Sequence, residues 1–349
     1  MKHLKQRGLT LIELLVALSI GAFLIIGAVT VQSQSRKTFT VNENQARLQE
    51  TARYALSVLE PDIQLASLYG YSNVPWGIVL IDKDGNRHDA VNMVPGKASL
   101  GLGGVYDDCG VNQTWSVFLP IQAEDGAWKL GCDPGGNGQI PGTDTITVRH
   151  SGTEKVDAVA GKLQFFTDRL VPTNSRLIMN GVAPQALKDG EKEFRDYFMR
   201  TYYVAQDSEG RPNLPAMRVK QITTDEEGDG AWDDQEVVRG VEDIQIELGV
   251  DPGDATDGTI LKSDDGFAIN VNGNVARYVA PGDDILTSGQ VVAVRIWVRV
   301  RAEEAEQGFA DQRVYNYASV KDFQPGDGFR RVVMSRTIFL RNTRIVPQS

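Results

Sequence analysis

From Leu9 to Val31 the chain is apolar apart from two glycines, Ser19, two threonines and one acid, Glu13. As a helix, that run spans roughly 35 Å, enough to cross a hydrocarbon core of about 30 Å. Lys2, Lys5 and Arg7 precede it, and the next basic residue is Arg36, so the N-terminus is expected to stay cytoplasmic while the rest crosses. The pattern then changes without a break. Ala52, Ala55, Leu56, Leu59, Ile63 and Ala66 recur at spacings of three and four, with Gln, Arg and Glu between them. That is an amphipathic continuation of the helix over residues 32–70, with one stripe for a globular domain to cover. Pro61 removes a backbone donor and predicts a kink or a new turn. Gly21 and Gly27 weaken the helix inside its apolar half.

Beyond residue 70 the period shortens. Apolar runs at 77–81, 115–120, 144–150, 164–167, 200–205, 217–223, 241–250, 291–301 and 330–340 read as strands, separated by clusters of Gly, Pro, Asn and Asp. Residues 241–250 and 291–301 alternate apolar with polar side chains, as half-buried antiparallel strands do. A short helix is expected around 188–197. The pattern therefore predicts an α+β fold, with the long N-terminal helix packed on an antiparallel β-sheet in an enlarged globular domain over 71–349.

Composition and charge narrow what this domain can be. With 349 residues there is ample chain for a core, and the net charge of −10 argues against a general binder of nucleic-acid backbone. Arg295, Arg299 and Arg301 could form a local basic patch, but alternate residues on a strand read more simply as a solvated face, so no direct nucleic acid is expected. Two cysteines, Cys109 and Cys132, follow the membrane run on the side where disulfides persist. A structural disulfide between them is predicted, worth roughly 3 kcal/mol by the chain-entropy argument.

Neither an ordinary signal peptide nor a plain anchor accounts for Glu13. The run exceeds the usual signal core of about 7–15 residues, and no small-x-small cleavage site closes it. Arg7-Gly8-Leu9-Thr10-Leu11-Ile12-Glu13-Leu14 resembles the class III signal of type IV pilins and pseudopilins. The resemblance implies that a prepilin peptidase cuts after Gly8, removing leader 1–8, and methylates the new terminus at Leu9, where most members carry Phe. It also implies that residues 9–31 are a transmembrane and assembly helix, with Glu13 at the acidic fifth mature position. An acid in lipid is costly and needs a partner; in a filament, the N-terminal ammonium of a neighbour can supply one.

Residues 238–251, 291–304 and 329–342, together with 45–71, resemble the PilW family of minor pilins. That implies a pilin-like roll and a low-copy subunit that joins other minor pilins in a tip or priming complex. Implied partners are the major pilin, the prepilin peptidase, the inner-membrane assembly platform and a large tip adhesin. The body would be periplasmic and later reach the pilus and cell surface, in support of twitching motility, adhesion or DNA uptake. The alternatives are a J-type pseudopilin of type II secretion, which shares an element like 241–251, and a tip adhesin for a surface ligand.

One acidic run could carry chemistry. Residues 225–236 fit an EF-hand-like calcium loop, with Asp225, Glu227, Asp229, the Ala231 carbonyl, Asp233 and Glu236 as ligands. The plainer reading is an acidic, solvated hairpin tip. Calcium is thus the one candidate cofactor, and no motif requires another. No nucleophile elbow, zinc helix, phosphate loop or dinucleotide fingerprint occurs, so an assembly role is expected rather than an enzyme. Trp76, Trp115, Trp128, Trp232 and Trp297 could form a sugar-binding face, though packing in strands and core is the simpler expectation.

Overall fold

The apolar and then amphipathic pattern of the N-terminal region forms a single helix, α1 (Leu11–Leu65). The computed structural model describes residues 10–71, 78–89, 105–110, 113–117, 119–169, 175–183, 192–224, 230–253, 273–287 and 289–343. By its contacts the chain divides between Arg47 and Leu48 into two compact units. In the first unit, every large apolar side chain from Leu11 to Val31 is exposed. Lipid is the solvent that suits such a surface, and α1 is the helix long and apolar enough to cross a membrane among the described residues. Its few hydroxyls are satisfied within the helix: Ser19 donates to the Leu15 carbonyl and Thr30 to that of Ile26, each at 2.8 Å.

In the second unit, residues 48–65 of α1 bury Ala52, Ala55, Leu56, Leu59 and Ile63 of the predicted stripe together with Leu48, and Ala66, just past the helix end, is buried as well. The helix runs through Pro61 and ends at Leu65, short of the expected 70. Its last carbonyls are capped from a distance, because Asn342 Nδ2 donates to Gln64 at 3.2 Å and Ala66 at 3.4 Å. Gly70 then adopts φ +65°, and a Cβ there would meet the Thr167 side chain at 2.6 Å, so only glycine fits this exit.

A nine-stranded sheet follows. It contains β1 (Val79–Ile81), β2 (Arg87–Asp89), β3 (Ile121–Glu124), β4 (Thr145–Ser151), β5 (Gln164–Asp168), β6 (Arg176–Ile178), β7 (Lys192–Ala205), β8 (Ala216–Thr224) and β9 (Gly230–Arg239). A short helix, α2 (Val105–Asp108), lies between β2 and β3. Strand β7 organises the sheet: residues 192–196 pair with β5, 197–202 with β4 and 200–205 with β8. Only β1 and β6 pair in parallel among the described strands.

The second sheet runs β11 (Arg277–Val279), β10 (Val241–Asp251), β12 (Gln290–Arg301), β15 (Arg331–Phe339). A hairpin of β13 (Tyr315–Tyr317) and β14 (Val320–Phe323) stands apart from it. The two sheets are joined at Asp144. Its N–H donates to the Ile244 carbonyl at 2.9 Å, and its carboxyl accepts from Ile246 N at 2.8 Å and Gly126 N at 3.0 Å. Residues of α1, β4, β7, β8, β10, β12 and β15 share one core, so the helix packs across both sheets. A second core gathers Tyr69, Leu80, Trp115, Phe165, Leu177 and Met199.

Three expectations need correction. Residues 115–117 and 119–120 are not a strand. Trp115 and Val117 drop into the second core through tight turns, while Tyr69 Oη and Arg149 Nη1 take up the Val117 and Leu119 carbonyls. The expected helix at 188–197 is strand from Lys192 onward, because pairing with β5 overrides local propensity. Nor are the three arginines of β12 a solvated face: Arg299 is buried, Arg301 is partly buried over the Phe329 ring, and Arg295 pairs with Glu247.

Candidate functional site

Gly8 and Leu9 lie outside the described residues, but Thr10 and Glu13 do not. Thr10 N and Thr10 Oγ1 both donate to Glu13 Oε2 at 2.9 Å, and Glu13 N approaches Thr10 Oγ1 at 3.4 Å. With α1 starting at Leu11, Thr10 is the N-cap and Glu13 the third helical residue, a reciprocal capping box. The carboxylate therefore has partners within its own helix end and sits where the helix dipole favours negative charge. Glu13 is also the only ionisable residue from Thr10 to Ser35. The Thr-x-x-Glu spacing at residues 10–13 is the sequence signal for this cap.

In the second unit, α1 is fastened by a buried acid that the amphipathic reading missed. Asp62 points from the apolar stripe into the first sheet. Its carboxyl accepts Arg200 Nη1 at 2.9 Å and Tyr202 Oη at 2.7 Å, with His150 Nε2 at 3.5 Å. Burial works against this charge, but His150, Arg200 and Tyr202 together hold the carboxyl below its ordinary range. Glu60 reaches the second sheet through Arg336. Two acids two residues apart thus fix the helix on both sheets. An acid on the apolar stripe was the available signal.

A second buried network lies on β10, β12 and β15 beneath the β13–β14 hairpin. Glu242 Oε1 accepts Nε of both Arg299 and Arg331 at 2.6 Å. Asp327 takes the two Nη atoms of Arg331 at 2.6 and 2.7 Å, and Arg299 Nη1 donates to Tyr317 Oη at 2.6 Å. Tyr317 in turn donates to Asp243, whose carboxyl burial pushes up. Every carboxylate here is answered by a guanidinium or hydroxyl, so the network fastens the hairpin rather than holding a ligand.

The predicted disulfide is present: Cys109 and Cys132 are bonded, with Cα atoms 4.3 Å apart. It closes the segment whose turns wrap Arg149, a fully buried guanidinium that donates to carbonyl and amide oxygens of Gln113, Leu119 and Gln122.

The calcium reading fares differently. Asp225, Glu227 and Asp229 lie outside the described residues. Gly230, Ala231, Asp233 and Glu236, however, are extended strand in β9 and pair with β8 in unbroken register. Alternation puts Asp233 and Glu236 on opposite faces, and Glu236 is already engaged by Arg239 Nε at 2.6 Å and Glu209 N at 2.5 Å. The pairing with β8 holds residues 230–236 extended rather than curled into a loop. No metal-ligating cluster occurs among the described residues. The tryptophans do not share a face either: Trp115 is core, Trp128 packs on Tyr203, and Trp76 lies outside the described residues.

Residues 201–342 match the family model of type IV pilus-assembly protein W, PilW, and residues 3–29 match the prokaryotic N-terminal methylation motif. Together the two matches support a PilW-type type IV minor pilin. No curated protein and no solved structure matches it. In this chain the PilW match begins within β7 and closes just after β15, taking in the buried arginine network and leaving β1–β6 outside. The methylation motif and the apolar helix make it an inner-membrane-anchored pilin that later enters the pilus.

Proposed function

We infer that this minor pilin joins other minor pilins in a complex that primes type IV pilus assembly and stays at the tip. The observation that carries the reading is Glu13, the lone acid in the apolar, exposed first part of α1 (residues 11–31), held by Thr10 at the helix start. In that state the subunit can wait in the inner membrane with its carboxylate partly satisfied. After a prepilin peptidase removes residues 1–8, each subunit also carries an ammonium at Leu9. Sliding two such helices together at the assembly platform lets the ammonium of one compensate the carboxylate of the other, which fixes axial register. The major pilin then extends from that seed, and a large tip adhesin can ride on the body. Twitching, adhesion or DNA uptake would follow from the pilus rather than from chemistry in this chain.

A deletion strain, scored together for surface pili and for type II secretion, tests this. Few or no pili with secretion intact is the expected result. Intact pili with lost secretion would reassign the chain to the J-type pseudopilins. If both are intact while adhesion to a defined surface is lost, the tip-adhesin reading gains.

A further inference from the structure

Strand β15 closes one side of the second sheet, and among the described residues no strand other than β12 pairs with it. Its pairing with β12 is regular over nine residues, and the flanking bonds Leu340 N to Val292 O and Ala302 N to Arg330 O set the phase. Even-numbered residues of β15 therefore bond toward β12. The odd ones, Val333, Ser335, Thr337 and Phe339, turn their N–H and C=O groups outward. Arg331, the remaining odd position, has its carbonyl taken by Arg313 Nη2 at 2.9 Å. Four successive outward positions are thus left as an open ladder about 20 Å long. Native sheets usually cover, bulge or shorten such an edge. This one is long, regular and free of proline.

What flanks the edge favours an occupant. On the sheet face away from α1, Phe339 is 58% exposed, and Arg295 lies between Tyr278, 3.7 Å from its ring centre, and Trp297. One exposed aromatic, Phe339, beside an arginine flanked by the half-buried Tyr278 and Trp297 is the composition of interface anchors. Charge then selects among occupants. Residues 329–342 carry four arginines and no acid; Glu306 answers Arg330, and Glu242 and Asp327 answer Arg331, so Arg336 and Arg341 set the charge beside the edge. Arg341 is exposed and makes no ion pair among the described residues, and Arg336 stays 43% exposed beside Glu60. Antiparallel pairing of β15 with a second copy centred near Arg336 sets two Arg336 side chains opposite or diagonal to each other, which is unfavourable.

We propose that the open edge of β15 accepts an extended strand of alternating acidic and apolar residues from a different protein, by addition to the sheet. The identity of the donor as another pilus component rests on the minor-pilin reading; the existence of the site does not. The outward phase supplies a clean variant. Thr337→Pro removes an N–H that β12 does not use, so the fold should survive while the added strand loses a bond and meets the ring.

The test uses the full chain in detergent and a synthetic ten-residue peptide of alternating Val and Glu. Hydrogen exchange of the fragment covering 331–340 should slow at least tenfold with peptide. It should not slow with the same peptide N-methylated at alternate residues, nor in Thr337→Pro, whose melting temperature stays within a few degrees of wild type. A fragment already protected without peptide, equal protection by the methylated peptide, or no protection at millimolar peptide would each overturn the proposal. So would a dimer of the chain that Thr337→Pro abolishes, since the occupant would then be a second copy. Peptide exchange reads the edge and the deletion phenotype reads the pilus role, so the two can fail separately.

Discussion

Replacing Asp62 by alanine should loosen the helix from the first sheet without touching the membrane segment. The substitution strips Arg200 and Tyr202 of an acceptor at 2.9 and 2.7 Å and leaves His150 facing a gap. Breaking a buried ion pair from one side costs about 3–5 kcal/mol when the survivor stays dry. Arg200, however, is 28% exposed, keeps its Nε bond to Gln221 at 3.0 Å and stacks 4.4 Å over Phe198, so water and neighbours recover part of that cost. We expect a loss of about 2–3 kcal/mol, or roughly 5 °C in melting temperature for a unit of this size. Asp62→Asn should lose about half as much, because one amide oxygen still accepts from Arg200 and the amide nitrogen can donate to Tyr202. The sign of the pH dependence follows from the depressed carboxyl. Its contribution is complete above the unfolded value near 3.8 and disappears as pH falls through the lower folded value, so wild type and Asp62→Asn should converge only below about pH 4. Thermal melts of the full chain in detergent, with hydrogen exchange over residues 48–65, read both effects. Melting within 1 °C of wild type for Asp62→Ala would refute the argument.

Reducing Cys109–Cys132, or replacing both cysteines by serine, should cost about 3 kcal/mol, seen as a lower melting temperature that matches wild type under reductant. Burial raises the Asp144 carboxyl to about 7, so its contribution is complete below about pH 4 and is lost as pH rises through 7. The denaturation midpoint should therefore fall between pH 5 and 8, and fall less in Asp144→Asn, which cannot ionise. Glu13→Gln keeps the capping hydrogen bonds but not the charge, whereas Glu13→Ala loses both. Both should be cleaved normally and both should enter filaments poorly, measured by immunoblot of sheared pili; wild-type incorporation of Glu13→Gln would contradict the charge-pairing account.

The two ends of the chain were legible because their patterns are long. A 55-residue helix and the alternating strands β10, β12 and β15 each repeat one period often enough to override local noise. The middle was harder to read. Strands β2, β6 and β11 have three residues each, too few for a period to register. Residues 192–197 carry Lys, Glu and Arg that suit a helix, and only pairing with β5, distant in sequence, makes them strand. The acidic spacing at 225–236 suggested a loop for a similar reason: β8, which holds its second half extended, is invisible to a ligand pattern. At the candidate site, the sequence showed Glu13 but not its partner Thr10. It also showed the apolar stripe of α1 but not that Asp62, one residue before Ile63, is buried within it.

All of this presumes that the first eight residues are removed and that α1 begins the mature chain with a free, methylated terminus beside its capping box. Intact mass measurement and N-terminal fragmentation of the protein from cells with an active prepilin peptidase test that directly. The account predicts a chain starting at N-methylated Leu9, 341 residues long once eight are removed from 349. A mature protein that still begins at Met1, or that starts beyond Glu13, would contradict it.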